Sequence, residues 1–88
     1  MRIQVRRTGG FAGIERQAEV DTAGRPDAGE WHALAAQAVA DGRGAPPQGV
    51  PDGFRYEITV DGRTVHAADP RLTSQQRELI TRVLKEGA

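Results

Sequence analysis

The stretch Phe54-Arg55-Tyr56-Glu57-Ile58-Thr59-Val60-Asp61-Gly62-Arg63-Thr64-Val65-His66-Ala67 decides the fold of this chain. Phe54, Tyr56, Ile58 and Val60 alternate with Arg55, Glu57 and Thr59, which is the period-two pattern of a half-buried strand. Asp61-Gly62 then separates this run from a second alternating one. Asp-Gly in that place predicts a two-residue type I′ hairpin, because both central residues of the turn need φ > 0. Such a turn sets Ile58 against Val65 and Tyr56 against Ala67 on the apolar face, and Glu57 against His66 on the outer face as an ordinary surface pair.

Working towards the N-terminus, a second hairpin comes into view. Ile3 and Val5 alternate with Arg2, Gln4 and Arg6, while Ile14, Ala18 and Val20 alternate with Glu15, Gln17 and Glu19. If Arg7 faces Ile14, one antiparallel register places Arg6 opposite Glu15, Gln4 opposite Gln17, Arg2 opposite Glu19 and Ile3 opposite Ala18. Complementary cross-strand pairs contribute about 0.2 to 1 kcal/mol each. A slip of one residue turns the apolar set into water, so the pairing is well specified.

Between those two strands lies Thr8-Gly9-Gly10-Phe11-Ala12-Gly13. Three glycines around one aromatic residue allow φ > 0 and close approach of another backbone. Two readings satisfy this composition. In one, the loop presents Phe11 outward as a docking element on a rigid base; in the other, Phe11 folds back onto the core and the glycines merely close a wide turn.

Helices fill the remaining periodic stretches. Asp27 followed by Glu30 has capping-box spacing, and Trp31, Leu34, Ala35, Ala38 and Val39 then recur on one helical face until Gly42 supplies a stop. Trp31 heads that stripe and is expected to anchor the helix on the sheet. Thr73 and Gln76 repeat the capping spacing before a second helix, whose buried stripe is Leu79, Ile80, Val83 and Leu84. Residues 42–53, rich in glycine and proline, read as one long irregular loop, serving either as plain connection or as a functional segment. The order strand, strand, helix, strand, strand, helix predicts an α+β fold, a four-stranded antiparallel sheet packed by helices, in a single domain spanning residues 1–88.

Composition narrows the function. The 12 basic and 12 acidic residues balance, which argues against general affinity for nucleic acid or for an anionic membrane. No cysteine is present, so disulfides and thiolate metal sites are excluded. Met1-Arg2-Ile3-Gln4-Val5 opens no apolar stretch of signal-peptide length and nothing approaches a membrane span, so a soluble cytoplasmic protein is expected. Catalytic patterns are equally sparse. His32 and His66 are isolated, no His-Glu-x-x-His, G-x-S-x-G or phosphate-loop pattern occurs, and no hydroxyl sits in a recognisable triad. The expectation is a non-enzymatic binding module without metal or cofactor.

Met1-Arg2-Ile3, the loop Thr8-Gly9-Gly10-Phe11-Ala12-Gly13-Ile14 and the strand Pro51-Asp52-Gly53-Phe54-Arg55-Tyr56-Glu57-Ile58 together resemble the emfourin family, small bacterial protein inhibitors of protealysin and its relatives. The likeness covers both hairpins in order. It implies a cystatin-like arrangement of strands and helix, no enzymatic activity, and a thermolysin-like zinc metalloprotease as partner. The mechanism it implies is occlusion, in which rigid loops at one end of the sheet enter the protease cleft. Thr8, Gly9, Gly10, Phe11, Ala12 and Gly13 are then the expected protease-binding residues, with Phe11 the apolar anchor; Met1, at the opposite end of the first strand, and the Asp61-Gly62 turn are secondary candidates. Such an inhibitor is expected to be a monomer when free. The alternative is a protein-interaction or homodimerisation module in which the Gly-Phe loop and the C-terminal helix form a homomeric interface.

Overall fold

The computed structural model describes residues 1–9, 15–44, 53–69 and 71–87. Six elements follow one another: β1 (Arg2–Gly9), β2 (Arg16–Asp21), α1 (Ala28–Asp41), β3 (Phe54–Val60), β4 (Arg63–Ala68) and α2 (Ser74–Glu86). The four strands make one antiparallel sheet in the order β2-β1-β3-β4, so the fold is α+β as the alternation predicts. Ile3, Val5, Ala18, Val20, Tyr56, Ile58 and Val65 bury one face of the sheet, and Trp31, Leu34, Ala35, Ala38, Leu79, Ile80, Val83 and Leu84 from the helices complete the same core. Trp31 is fully buried, in keeping with its place at the head of the apolar stripe.

The Asp61-Gly62 hairpin forms as its sequence dictates. Both turn residues have positive φ, 49° and 86°, and Ile58 faces Val65, Tyr56 faces Ala67 and Glu57 faces His66. On the outer face, the hydroxyls of Thr59 and Thr64 are 2.8 Å apart. β1 then closes the sheet by pairing antiparallel with β3, Ile3 opposite Val60 and Val5 opposite Ile58.

The first hairpin corrects the expected register. Ile3 pairs with Val20, Gln4 with Glu19, Val5 with Ala18 and Arg7 with Arg16, a slide of two residues. An even slide keeps every side chain on its face. It also explains itself: the expected pairing leaves Val5 opposite Arg16, whereas the observed one stacks two apolar pairs. The charge partners survive as diagonals. Arg6 donates to Glu15 from Nε at 2.8 Å and from Nη2 at 3.1 Å, and Arg2 lies 3.6 Å from Glu19.

Three other expectations need correction. Asp27 occupies the N-cap position of α1, but its side chain makes no capping hydrogen bond. Its carboxylate accepts instead from Arg25 Nε at 3.1 Å, Trp31 Nε1 at 3.0 Å and Arg82 Nη2 at 3.4 Å, because the buried indole needs an acceptor. The Arg25 hydrogen bond, followed by that of Trp31, holds the Asp27 carboxyl below the usual carboxylate range. Gly42 does end α1, yet with φ −81°, outside the left-handed region. Its role is steric, since a Cβ there would collide with the side chain of Val65. Directly after it, Arg43 leaves the expected irregular loop and pairs with His66 through two backbone hydrogen bonds of 3.0 and 2.7 Å. By contrast, the Thr73–Gln76 capping box of α2 forms in full, and the buried Gln76 also donates to the Ala38 carbonyl at 3.3 Å, tying the second helix to the first.

Candidate functional site

Antiparallel pairing places the candidate residues at two separate ends of β1. At the far end, Thr8 lies on the outer face opposite Arg55, and Gly9 lies opposite Phe54. Gly9 has φ 93°, and a Cβ on it would stand 3.0 Å from the Gly53 carbonyl oxygen. Its freedom is therefore used inside the chain, to let the end of β1 rest on the start of β3. Gly10, Phe11, Ala12 and Gly13 lie outside the described residues. The chain re-enters at Glu15, which the two hydrogen bonds from Arg6 hold against β1.

The inner face of this end is held by an aromatic and polar frame. Arg7 shares the parity of Ile3 and Val5, so its side chain points to the helix side of the sheet, and its guanidinium carbon sits 4.5 Å from the centroid of the Phe54 ring. Phe54 and Tyr56 follow one another on the same face, ring centroids 6.4 Å apart. Tyr56 donates from its hydroxyl to Asp69 Oδ2 at 3.4 Å, and the Asp69 amide donates to the Phe54 carbonyl at 3.0 Å. Burial pushes the Tyr56 phenol up, with the Asp69 charge adding to this and Arg7 and Arg77 opposing it. The hydroxyl is thus a neutral donor at ordinary pH. The strands that carry the 10–14 segment leave from this frame.

At the near end the secondary candidates come together. Asp61 accepts from the Arg2 amide at 2.9 Å and donates its own amide to the Arg2 carbonyl at 3.0 Å. The Met1 carbonyl accepts from the amide of Thr22 at 2.9 Å and from its hydroxyl at 3.2 Å. Met1, Asp21, Asp61 and Gly62 consequently line one shallow cleft. The eight residues of β1, at about 3.3 Å each, separate that cleft from Gly9 by the length of the sheet.

The histidines serve locally: His32 Nε2 is 3.0 Å from the hydroxyl of the buried Thr22, and His66 is a strand residue facing Glu57. Among the described residues no group of three or more histidines, cysteines or carboxylates is placed to hold a metal ion. None of their helices is long and apolar enough to cross a membrane. One feature of the far end escaped the sequence reading, the inward Arg7. Its signal was present in the alternation Ile3, Val5, Arg7, which continues the apolar face into a cation. The family model for Emfourin matches residues 5–84. No curated protein and no solved structure gives a match.

Proposed function

We propose that this chain, which belongs to the emfourin family, inhibits a thermolysin-like, protealysin-like zinc metalloprotease by occluding its active-site cleft with residues 8–13. The observation that carries the reading is the mounting of that segment. β1 is an interior strand, paired with β2 on one side and β3 on the other, so Gly9 is held by Gly53 and Phe54, and Glu15 by Arg6. A segment whose two roots are fixed has less freedom to lose on entering a cleft than a free chain end has, and preorganisation of this kind reduces the ordering cost of association. Phe11 supplies the apolar anchor, and the glycines allow close approach of the protease backbone.

The test is titration of a thermolysin-like protease from the same genome with the native protein, which should abolish peptide hydrolysis stoichiometrically. Phe11→Ala should then weaken inhibition by about 2 kcal/mol or more while leaving the melting temperature in place. If Phe11 is a core residue, the same change removes about 3 to 5 kcal/mol of stability instead. Full inhibition by a folded Phe11→Ala, Gly10→Val double variant would move the contact to the Met1, Asp61 and Gly62 end. No inhibition by the native protein, together with a dimeric size in dilute solution, would favour the homodimerisation module over the monomeric inhibitor.

A further inference from the structure

The chain is neutral overall, but its charges are not evenly placed. Arg2, Arg6, Arg25 and Arg82 are each paired with carboxylates. A cleft of about 400 Å³ between the end of the sheet and α2 collects four other cations, Arg7, Arg16, Arg77 and Lys85, around an apolar floor that includes Ile80 and Leu84, with no carboxylate in its lining. Among the described residues none of these four has an ion-pair partner. Arg7 and Arg16 even face each other directly across the β1–β2 pair, an arrangement of like charges that costs stability. Arg16 is steadied by donating to the Leu84 carbonyl at 2.6 Å. Arg7 is steadied against Phe54, yet its Nε is buried without an acceptor among the described residues. A buried donor in that state is uncommon in folded proteins.

We propose that this cleft binds an acidic side chain, flanked by an apolar one, on the surface of the target protease. The inference rests on the inhibitor reading, because Arg7 lies two residues before Gly9 and makes the cleft continuous with the root of the 8–13 segment. A carboxylate suits the arginine forks, which donate in parallel pairs to two oxygens, and the flanking apolar group fits the Ile80 and Leu84 floor. A nucleic acid suits it less well. Four cations around one short cleft do not make a stripe along a phosphate backbone, and Tyr56, the aromatic group in the lining, is buried and offers no ring for base stacking.

The experiment uses the native protein and the double variant Arg77→Glu, Lys85→Glu, whose substituted residues are exposed on α2. Each is titrated with a blocked peptide of alternating glutamate and leucine while amide chemical shifts are followed. Association with the protease is measured in parallel over a range of salt concentrations. The native protein should show peptide-induced shifts confined to the ends of β1 and β2 and to α2. The variant should melt at the native temperature, lose those shifts, and associate with the protease roughly tenfold more slowly at low salt, with the gap closing as salt rises. The proposal is overturned if the peptide shifts are absent or scattered. It is also overturned if inorganic phosphate or a single-stranded oligonucleotide reproduces them at equal strength, or if the variant associates with the protease at the native rate. Confined shifts without any inhibition by the native protein would sink the inhibitor reading, and with it the assignment of the cleft to a protease, while leaving an anion-binding cleft in place.

Discussion

Replacing Gly9 by alanine tests whether the end of β1 is held as described. Two costs follow from the geometry. At φ 93° an alanine pays backbone strain of about 1 to 2 kcal/mol, and its Cβ would stand 3.0 Å from the Gly53 carbonyl oxygen, tighter than ordinary contact. Overpacking of that kind adds about 1 kcal/mol or more, and the stiffer unfolded chain returns about 0.4 to 1 kcal/mol. The net is a loss of about 2 kcal/mol, which for a domain of this size lowers the melting temperature by roughly 8 to 16 °C. Gly24 provides the internal reference: it has φ 77° but nothing within 4 Å of the place its Cβ would take, so Gly24→Ala incurs the strain alone. Thermal melting of both variants isolates the Gly53 contact, and an inhibition titration of the folded Gly9→Ala protein should show weaker binding, because the root of the 8–13 segment has moved. Equal melting temperatures for the two variants would refute the claim that Gly9 serves the approach of β3.

Gly29→Ala should raise the melting temperature by no more than a few degrees, since Gly29 lies in the first turn of α1 with open space around it, where the helix-interior preference for alanine over glycine of about 0.5 to 1 kcal/mol is only partly realised. The Asp27 network should give stability a definite acid dependence. Its carboxyl is lowered by Arg25 first and Trp31 second, so the contribution is fully present above the unfolded value of about 3.9 and is lost as pH falls through the lower folded value. Melting curves of Asp27→Asn should therefore converge on those of the native protein in strong acid, and a constant gap at every pH would contradict this. Amide exchange should protect Arg43 as well as the interior strands β1 and β3, because Arg43 donates to the His66 carbonyl at 3.0 Å; exchange at Arg43 as fast as at Gly44 would refute the bridge.

Both hairpins, the sheet face of each strand and the α2 capping box were legible because each depends on neighbours within a few residues of sequence. Asp61-Gly62 needs only its own turn geometry, and Thr73 needs only Gln76. What escaped depends on distant partners. The β1–β2 register is chosen by the match of Val5 to Ala18 and Ile3 to Val20, which outweighs direct opposition of charges that can reach diagonally. Asp27 abandons its cap because Trp31 and Arg82 converge on it from the folded core. Gly42 looked like a stop and is a point of contact with Val65, a residue 23 positions away. At the candidate site the glycine composition was informative about a special backbone at Gly9 and the strand alternation about the inward face of Arg7, while the cations that gather around Arg7 required the strand order and the placement of α2.

The interior position of β1 has a consequence for how the chain reaches this structure. Its partner on one side is the nearby β2, but on the other side Ile3 meets Val60 and Val5 meets Ile58, so the centre of the sheet is stitched from the two halves of the sequence. Loop closure over such a span has to be completed before its contacts repay it, which slows folding relative to a helical protein of equal length. During synthesis, the first strand waits with an open edge until β3 has emerged. β2 alone guards it on one flank, and the arginines at positions 2, 6 and 7 act as gatekeepers against pairing with another nascent chain.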